Sequence, residues 1–415
     1  MSAAYFLGGR CLVLEQESET GGLARSVRRD GFVFDIGGHA VHSRRDDWYA
    51  LLRRLDCDLF VQERKAFVKS PGGAIPFPYQ YHLFQLPESV FRECMDGLLD
   101  SGPSGDDSQN EPADYLQWLH AMFGPGICRH FMIPYNRKIW KIELDRLTTE
   151  FASQRVPALE RQRLVEINRL ARPQDLQTVA YPVSGGIQAI PDAFHAKIDS
   201  VRCNAKVTAV NLGKRTVTVN SDERIPYRHL ISTIPLPRFL EIAEDLDAEL
   251  QPLAGRFDWL SMGIVNFGVR RERFTDRQRL YVADQDIFFH KVVFNSNSAP
   301  GCAPPGHGSV SVEITARKDD FLDPEPTVRR VRAELTRIGA LDPADPVVLE
   351  QFLPVPFGYI LYDSRRTPAV ERCRRSLRTR NVHLCGRFGE WAYLNMDAVV
   401  ESAKRVAGEI REAAD

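Results

Sequence analysis

The sequence predicts a mixed α/β (α+β) fold, and three observations lead there. Cys11 to Glu15 is a short apolar run ending in an acid, the pattern of a buried strand in a dinucleotide-binding sheet. From Pro87 to about Leu170 the apolar residues recur with helical spacing. From Val201 onward apolar and polar residues alternate through successive strands. Helices and strands mixed along a chain of 415 residues argue against a pure class, and for two or three lobes around a large core.

The first strand raises a question about its motif. A ribose-binding acid such as Glu15 lies roughly 20 residues after a G-x-G-x-x-G loop that itself follows a strand. Only ten residues precede Cys11. The expectation is that Met1 is an internal methionine and that the reading frame continues upstream through a β-branched strand and a glycine-rich loop. The alternative is a degenerate protein that has lost its cofactor.

Farther on, "KAFVKSPGGAIPFPYQ" sets two apolar stretches around Pro-Gly-Gly and predicts a hairpin. "DSGPSGDDSQNEPAD", Asp100 to Asp114, holds too little apolar surface to order itself and is expected as a surface loop between helices. "ADYLQWLHAMFG" puts Tyr115, Leu119 and Met122 on one helical face with Leu116 beside them. Between Val201 and Leu236 three or four strands follow, with Asn211 to Lys214 as one turn. "GSVSVEITA" and "VVLEQFLPVPFGYI" read as further strands around the helical "EPTVRRVRAELTRIGAL". The tail is a strand, a glycine-containing loop and an amphipathic helix.

Composition narrows the function. Lys plus Arg (54) balance Asp plus Glu (55), so nothing general attracts nucleic acid or an anionic membrane, and any basic site is local. The eight cysteines, at 11, 57, 94, 128, 203, 302, 373 and 385, include no C-x-x-C pair and no histidine spacing suited to zinc, so no metal site is expected and reduced structural thiols are. With no apolar leader and no membrane-spanning run, the expectation is a cytoplasmic enzyme.

Four glycine-bearing stretches stand out: "ETGGLARS", "FDIGGHAVHS", "YPVSGGIQAIP" and "GRFGEWAYLNMD". Glycine pairs let backbone N–H groups approach a planar or anionic ligand, although a single pair is usually only a turn. Several, spread from the first strand to the last helix, suggest one extended ligand. In this order they resemble the FAD-binding elements of the flavoprotein group that includes amine oxidases, protoporphyrinogen oxidases and UDP-galactopyranose mutases, over nearly the whole chain. "FDIGGHAVHS", "PFPYQ", "IPYNRKIW" and "SQRVPALE" resemble the mutases in particular, while the ending "AYLNMD" resembles bacterial mutases and related oxidases.

The resemblance implies a Rossmann-like FAD-binding domain, incomplete at its N-terminus, built from 1–75, 181–240 and 370–415. It adds a helical lobe over 76–180 and an antiparallel-sheet substrate domain over 241–369. It implies that FAD is held by Glu15, Gly21, Gly22, Leu23, Arg25, Gly37, Gly38, His39, Val207, Gly386, Arg387, Asn395 and Met396. In such mutases N5 of the reduced flavin attacks the anomeric carbon of a nucleotide-diphosphate sugar, and the sugar recloses as a furanose with no net redox. NAD(P)H is one candidate reductant, and homo-oligomerisation is left open. Arg155 and Lys291 match cations that bind the diphosphate, and His39 matches a histidine against the flavin; these three are the implied catalytic residues. Gln80, Asn136, Trp140, Tyr281, Tyr359 and Tyr393 match residues around the nucleotide and sugar. Lys291 stands where the family usually places arginine, and Phe77 and Ser298 replace tyrosines, which loosens the identity of the substrate. The competing reading is an FAD-dependent oxidase or dehydrogenase of the amine oxidase or protoporphyrinogen oxidase type.

Overall fold

The computed structural model describes residues 1–43, 45–100, 112–152, 156, 160–172, 178–272, 275–320 and 322–413. Its longest strands, Trp259–Val269, Gly308–Arg317 and Val347–Ile360, form one side of a seven-stranded sheet. Both faces of the first two are covered, which suits their density of Val, Ile and Phe. On one face Val265, Phe267 and Val269 pack with Val331 and Leu335 of the helix Pro324–Arg337. On the other, Met262, Ile264 and Val355 meet Leu23 and Ile36, the loops expected to carry the cofactor. Pro354 and Pro356 fall in Val347–Ile360, an edge strand, where a missing N–H is tolerated.

The sheet continues through Lys291–Val293 and Arg279–Val282 to Ala66–Ser70 and Gly73–Pro76. The expected Pro-Gly-Gly hairpin forms, with Phe67 opposite Pro76, and it joins the sheet by parallel pairing of Ala66–Ser70 with Arg279–Val282. The sheet therefore takes two strands from the segment that the sequence assigns largely to the cofactor domain.

The helical lobe contains Glu88–Asp100, Tyr115–Ile127, Ile133–Trp140 and Arg161–Arg169. The Asp114 carboxylate caps the second helix by accepting the Gln117 N–H at 2.8 Å. Tyr115 and Leu119 are fully buried on its predicted face, with Met122 half-buried. Gly126 lies where a side chain would strike the Glu93 backbone, so glycine lets the first two helices touch. Residues 101–111 of the expected surface loop lie outside the described residues. The lobe is pinned to the sheet by Lys138, whose ammonium donates to the carbonyls of Val282 (3.2 Å) and Asp284 (2.6 Å); burial brings its pKa down to about 7.

Around the cofactor segments the sheets are small. Val13–Leu14 pairs in parallel with Val201–Arg202, and Leu230–Ser232 with Val382–Leu384, as two separate pairs. Val207–Asn211 and Thr216–Val219 form the expected hairpin, and Asn211 Oδ1 accepts the Lys214 N–H at 2.7 Å. The last helix, Met396–Glu412, buries Val406, Ala407 and Ile410 around Leu7. Among the described residues no helix is long and apolar enough to cross a membrane.

Candidate active site

The strand Phe32–Asp35 delivers the Gly37-Gly38-His39 loop onto the seven-stranded sheet. Gly37 has φ +93°, a conformation that favours glycine. At Gly38 an added Cβ would lie 2.7 Å from Val293 Cγ2 and 2.9 Å from Lys291 Nζ, so only glycine fits against these side chains. Beneath the loop, Glu313 Oε1 accepts the Gly38 N–H at 2.6 Å and a hydrogen bond from Lys291 Nζ at 2.8 Å. His290 Nε2 stands 3.5 Å from Glu313 Oε2. Burial favours the neutral carboxyl of Glu313, but Lys291 and His290 outweigh it and hold the pKa well below the usual range.

The His39 carbonyl accepts from Arg279 Nη2 at 2.5 Å. Burial lowers the His39 pKa below its ordinary value. Below the ordinary histidine pKa the unfolded chain takes up a proton that the folded chain refuses, so stability falls as pH falls. His82, His229 and His383 are lowered by burial as well. Chemical denaturation at pH 7 and pH 5 should show lower stability at pH 5, and His39→Asn should reduce that difference; an unchanged difference would contradict a neutral buried His39.

The third glycine stretch braces this loop. Asp35 Oδ1 accepts from Ser26 Oγ (2.7 Å) and the Ile187 N–H (3.1 Å), and Tyr181 donates to Oδ2 (2.8 Å). Gly186, at φ +72°, packs against Ser26 and Val33. "YPVSGGIQAIP" is thus tied to the strand that leads into the Gly-Gly-His loop.

Of the expected cofactor residues, Glu15 follows Val13–Leu14, donates its N–H to Arg202 O, and accepts the Glu17 N–H on Oε1 at 3.0 Å. Gly21 and Gly22 both have positive φ, and Arg25 Nε closes their turn on Gly22 O at 3.0 Å. Leu23, like Ile36 and Tyr359, packs against the cluster of Met262, Ile264 and Val355. Gly386 donates to Ser402 Oγ at 3.0 Å. Arg387 donates to Gly358 O at 3.0 Å and lies over the rings of Tyr359 (5.6 Å) and Tyr393 (4.6 Å). Asn395 precedes the helix Met396–Glu412 without capping it through its side chain. Ser43 ties the Gly-Gly-His segment to that helix through Asp397 at 2.6 Å. Val207, half-buried, opens its strand. A flavin fits these residues. Thr20 Oγ1 and Arg387 Nε are buried polar atoms without a protein hydrogen-bond partner, each beside a glycine stretch. The backbone at Gly22 is open on its Cβ side.

The expected substrate residues fall into two groups. At one end Tyr281 stands between Phe77 (ring centroids 4.8 Å apart) and Tyr135 (5.8 Å), with Arg64 over Phe77 at 4.9 Å. Burial pushes the Tyr281 phenol up, but Arg64, Arg279 and Lys291 more than offset it, and its pKa lies below the usual tyrosine value. At the other end Trp140 meets Tyr359 edge-on at 6.0 Å, and Tyr359 stacks with Tyr393 at 6.5 Å. Gln80 is buried, its carbonyl accepting from Asn168 at 2.9 Å. Asn136 uses its amide on protein: Oδ1 accepts from Tyr115 (3.1 Å) and Trp140 (3.2 Å), and Nδ2 donates to Met132 O (2.8 Å). Arg155 lies outside the described residues.

Sequence reasoning missed Asp35, Arg64, Arg279 and Glu313. Three of them left a signal: Asp35 stands inside "FDIGGHAVHS", Arg279 shares strand alternation with Tyr281, and Glu313 is the one acid inside "GSVSVEITA". Arg64 left none.

With this geometry in view, the chain can be set beside known proteins. The model of the flavin containing amine oxidoreductases matches residues 2–411. The crystal structure of a reduced UDP-galactopyranose mutase superposes with a TM-score of 0.91 at 23% identity, covering 99% of this chain and 92% of that one. Wild-type putrescine oxidase bound to putrescine gives 0.67 at 18% identity, covering 99% and 96%. A fatty acid isomerase from P. acnes that produces CLA gives 0.65 at 13% identity, covering 98% and 95%. At such identities these likenesses establish the fold, which in those proteins hosts both isomerases and an oxidase. The family match extends over nearly the whole chain and brings with it a flavin cofactor: this protein belongs to the flavin-containing amine oxidoreductase family.

Proposed function

We propose that this chain is an FAD-dependent mutase that interconverts the pyranose and furanose forms of a nucleotide-diphosphate sugar, UDP-galactopyranose being the first candidate. The observation that carries the reading is the cationic setting of Tyr281: Lys291 lies directly across from it in the sheet, Arg279 stands two residues away on the same strand, and Arg64 lies over the adjoining Phe77 ring. Two guanidiniums beside a phenol, next to a lysine paired with Glu313, suit a diphosphate, and they repel an amine, which is itself a cation near neutral pH. Tyr359 and Tyr393, half-buried and backed by the buried Trp140, supply flat surfaces for a sugar or base at the other end.

Reduced FAD would supply the nucleophile, its N5, and the protein does the rest. Arg279, with Arg155 from its motif, holds the departing diphosphate, whose oxygen gains charge as the glycosidic bond breaks. Arg279 also fixes the His39 carbonyl, so substrate binding and the Gly-Gly-His loop share one guanidinium. Lys291 contributes a charge already balanced by Glu313, and its main effect is on the loop.

Equilibrium binding of UDP to the FAD-loaded protein, followed by quenching of protein fluorescence, tests the clamp. UDP should bind, with affinity falling as salt rises, and Arg279→Ala should weaken it about 10-fold or more, as for loss of a charged hydrogen-bonding partner. Absence of UDP binding together with binding of putrescine would overturn the reading.

A further inference from the structure

Asp35 and His39 form a pair that neither the glycine motif nor the cationic clamp accounts for. Asp35 is only 5% exposed. A carboxylate offers about four lone-pair sites. Ser26 and Ile187 occupy Oδ1, and Tyr181 occupies half of Oδ2. One site on Oδ2 is left, and His39 Nδ1 stands 3.9 Å from that oxygen. Nδ1 is itself buried and has no hydrogen-bond partner. The separation exceeds a hydrogen bond by about 1 Å, which a small swing of the ring closes. A lone pair on Nδ1 would face a full negative charge, whereas an N–H there is attracted by it.

We propose that Asp35 is a positioning residue that holds His39 as the neutral Nδ1–H tautomer, leaving Nε2 as an unprotonated hydrogen-bond acceptor on the side of the ring away from Asp35. The groups facing the imidazole are Asp35 and Glu313, which favour a second proton, and Lys291 and Arg279, which with burial oppose it. The ring stays neutral, so what Asp35 decides is which nitrogen carries the proton. The His39 carbonyl already accepts from Arg279, so Nε2 is the acceptor this residue adds to the site, suited to an N–H of reduced flavin. That last link rests on the mutase reading; the tautomer does not.

The test is a two-bond proton–nitrogen correlation spectrum of the FAD-loaded protein labelled with 15N-histidine, with His39 assigned by its loss in His39→Asn. At neutral pH His39 should show the Nδ1–H pattern. In Tyr181→Phe, Oδ2 loses a donor and turns to His39, so the Nδ1 proton should move downfield and the His39 titration midpoint should rise. In Asp35→Asn the pattern should shift toward Nε2–H. An Nε2–H pattern in the unsubstituted protein overturns the proposal, as does a His39 signal that moves in neither variant. If His39 carries Nδ1–H and responds to both variants while no nucleotide sugar binds, the positioning role stands and the mutase reading falls.

Discussion

Glu313→Ala should cost about 3–5 kcal/mol of folding stability, the usual penalty for removing one partner of a buried ion pair. Glu313 is 2% exposed and Lys291 12% in their side chains, so the ammonium left behind has little water to turn to. The same change strands the Gly38 N–H and removes the acid beside His290. Glu313→Gln keeps an acceptor for Gly38 and should cost less. Glu313→Gln combined with Lys291→Met should cost less than the two single changes added together, because neither variant charge is then orphaned. Denaturant midpoints at constant slope measure all of these. A loss below about 1 kcal/mol for Glu313→Ala, the range of an exposed pair, would show that the carboxylate is not the anchor of the loop.

Arg155→Ala should lower turnover about 10²-fold or more, by analogy with removing a single charge-stabilising donor from an active site. A cation that meets the diphosphate as its oxygen gains charge helps the transition state more than the ground state, so the loss should appear in kcat as well as in kcat/KM. Lys291→Ala should cost less turnover per folded molecule, because Glu313 already balances the Lys291 charge. Single-turnover kinetics on the reduced protein separate the two. Equal losses, or a larger loss for Lys291→Ala, would place Lys291 directly on the substrate.

Regular elements were legible because their patterns are local. Gly308–Arg317 and Val347–Ile360 follow strings that read as strands, and the helix Pro324–Arg337 follows its periodicity. The parallel pairing of Ala66–Ser70 with Arg279–Val282 was not legible, since a contact between segments so far apart leaves no mark in either. Glu313 and Arg279 were passed over for a related reason: only the arrival of Gly38 and the His39 carbonyl, from a distant segment, makes them internal partners. Gly186 was legible only as half of a glycine pair, and its close approach to Ser26 and Val33 leaves no mark in the string. Asn136 belongs with it, an amide expected at the substrate whose hydrogen bonds run to Tyr115, Trp140 and Met132.

The most direct test of the central claim is to load the protein with FAD, reduce it with dithionite, incubate it with UDP-galactopyranose and a panel of other nucleotide sugars, and separate the products by chromatography. A furanose product that forms only with the reduced flavin, with no net consumption of reductant, is the predicted result. No isomerisation of any nucleotide sugar, together with reduction of the oxidised flavin by an amine or a porphyrinogen, would contradict it.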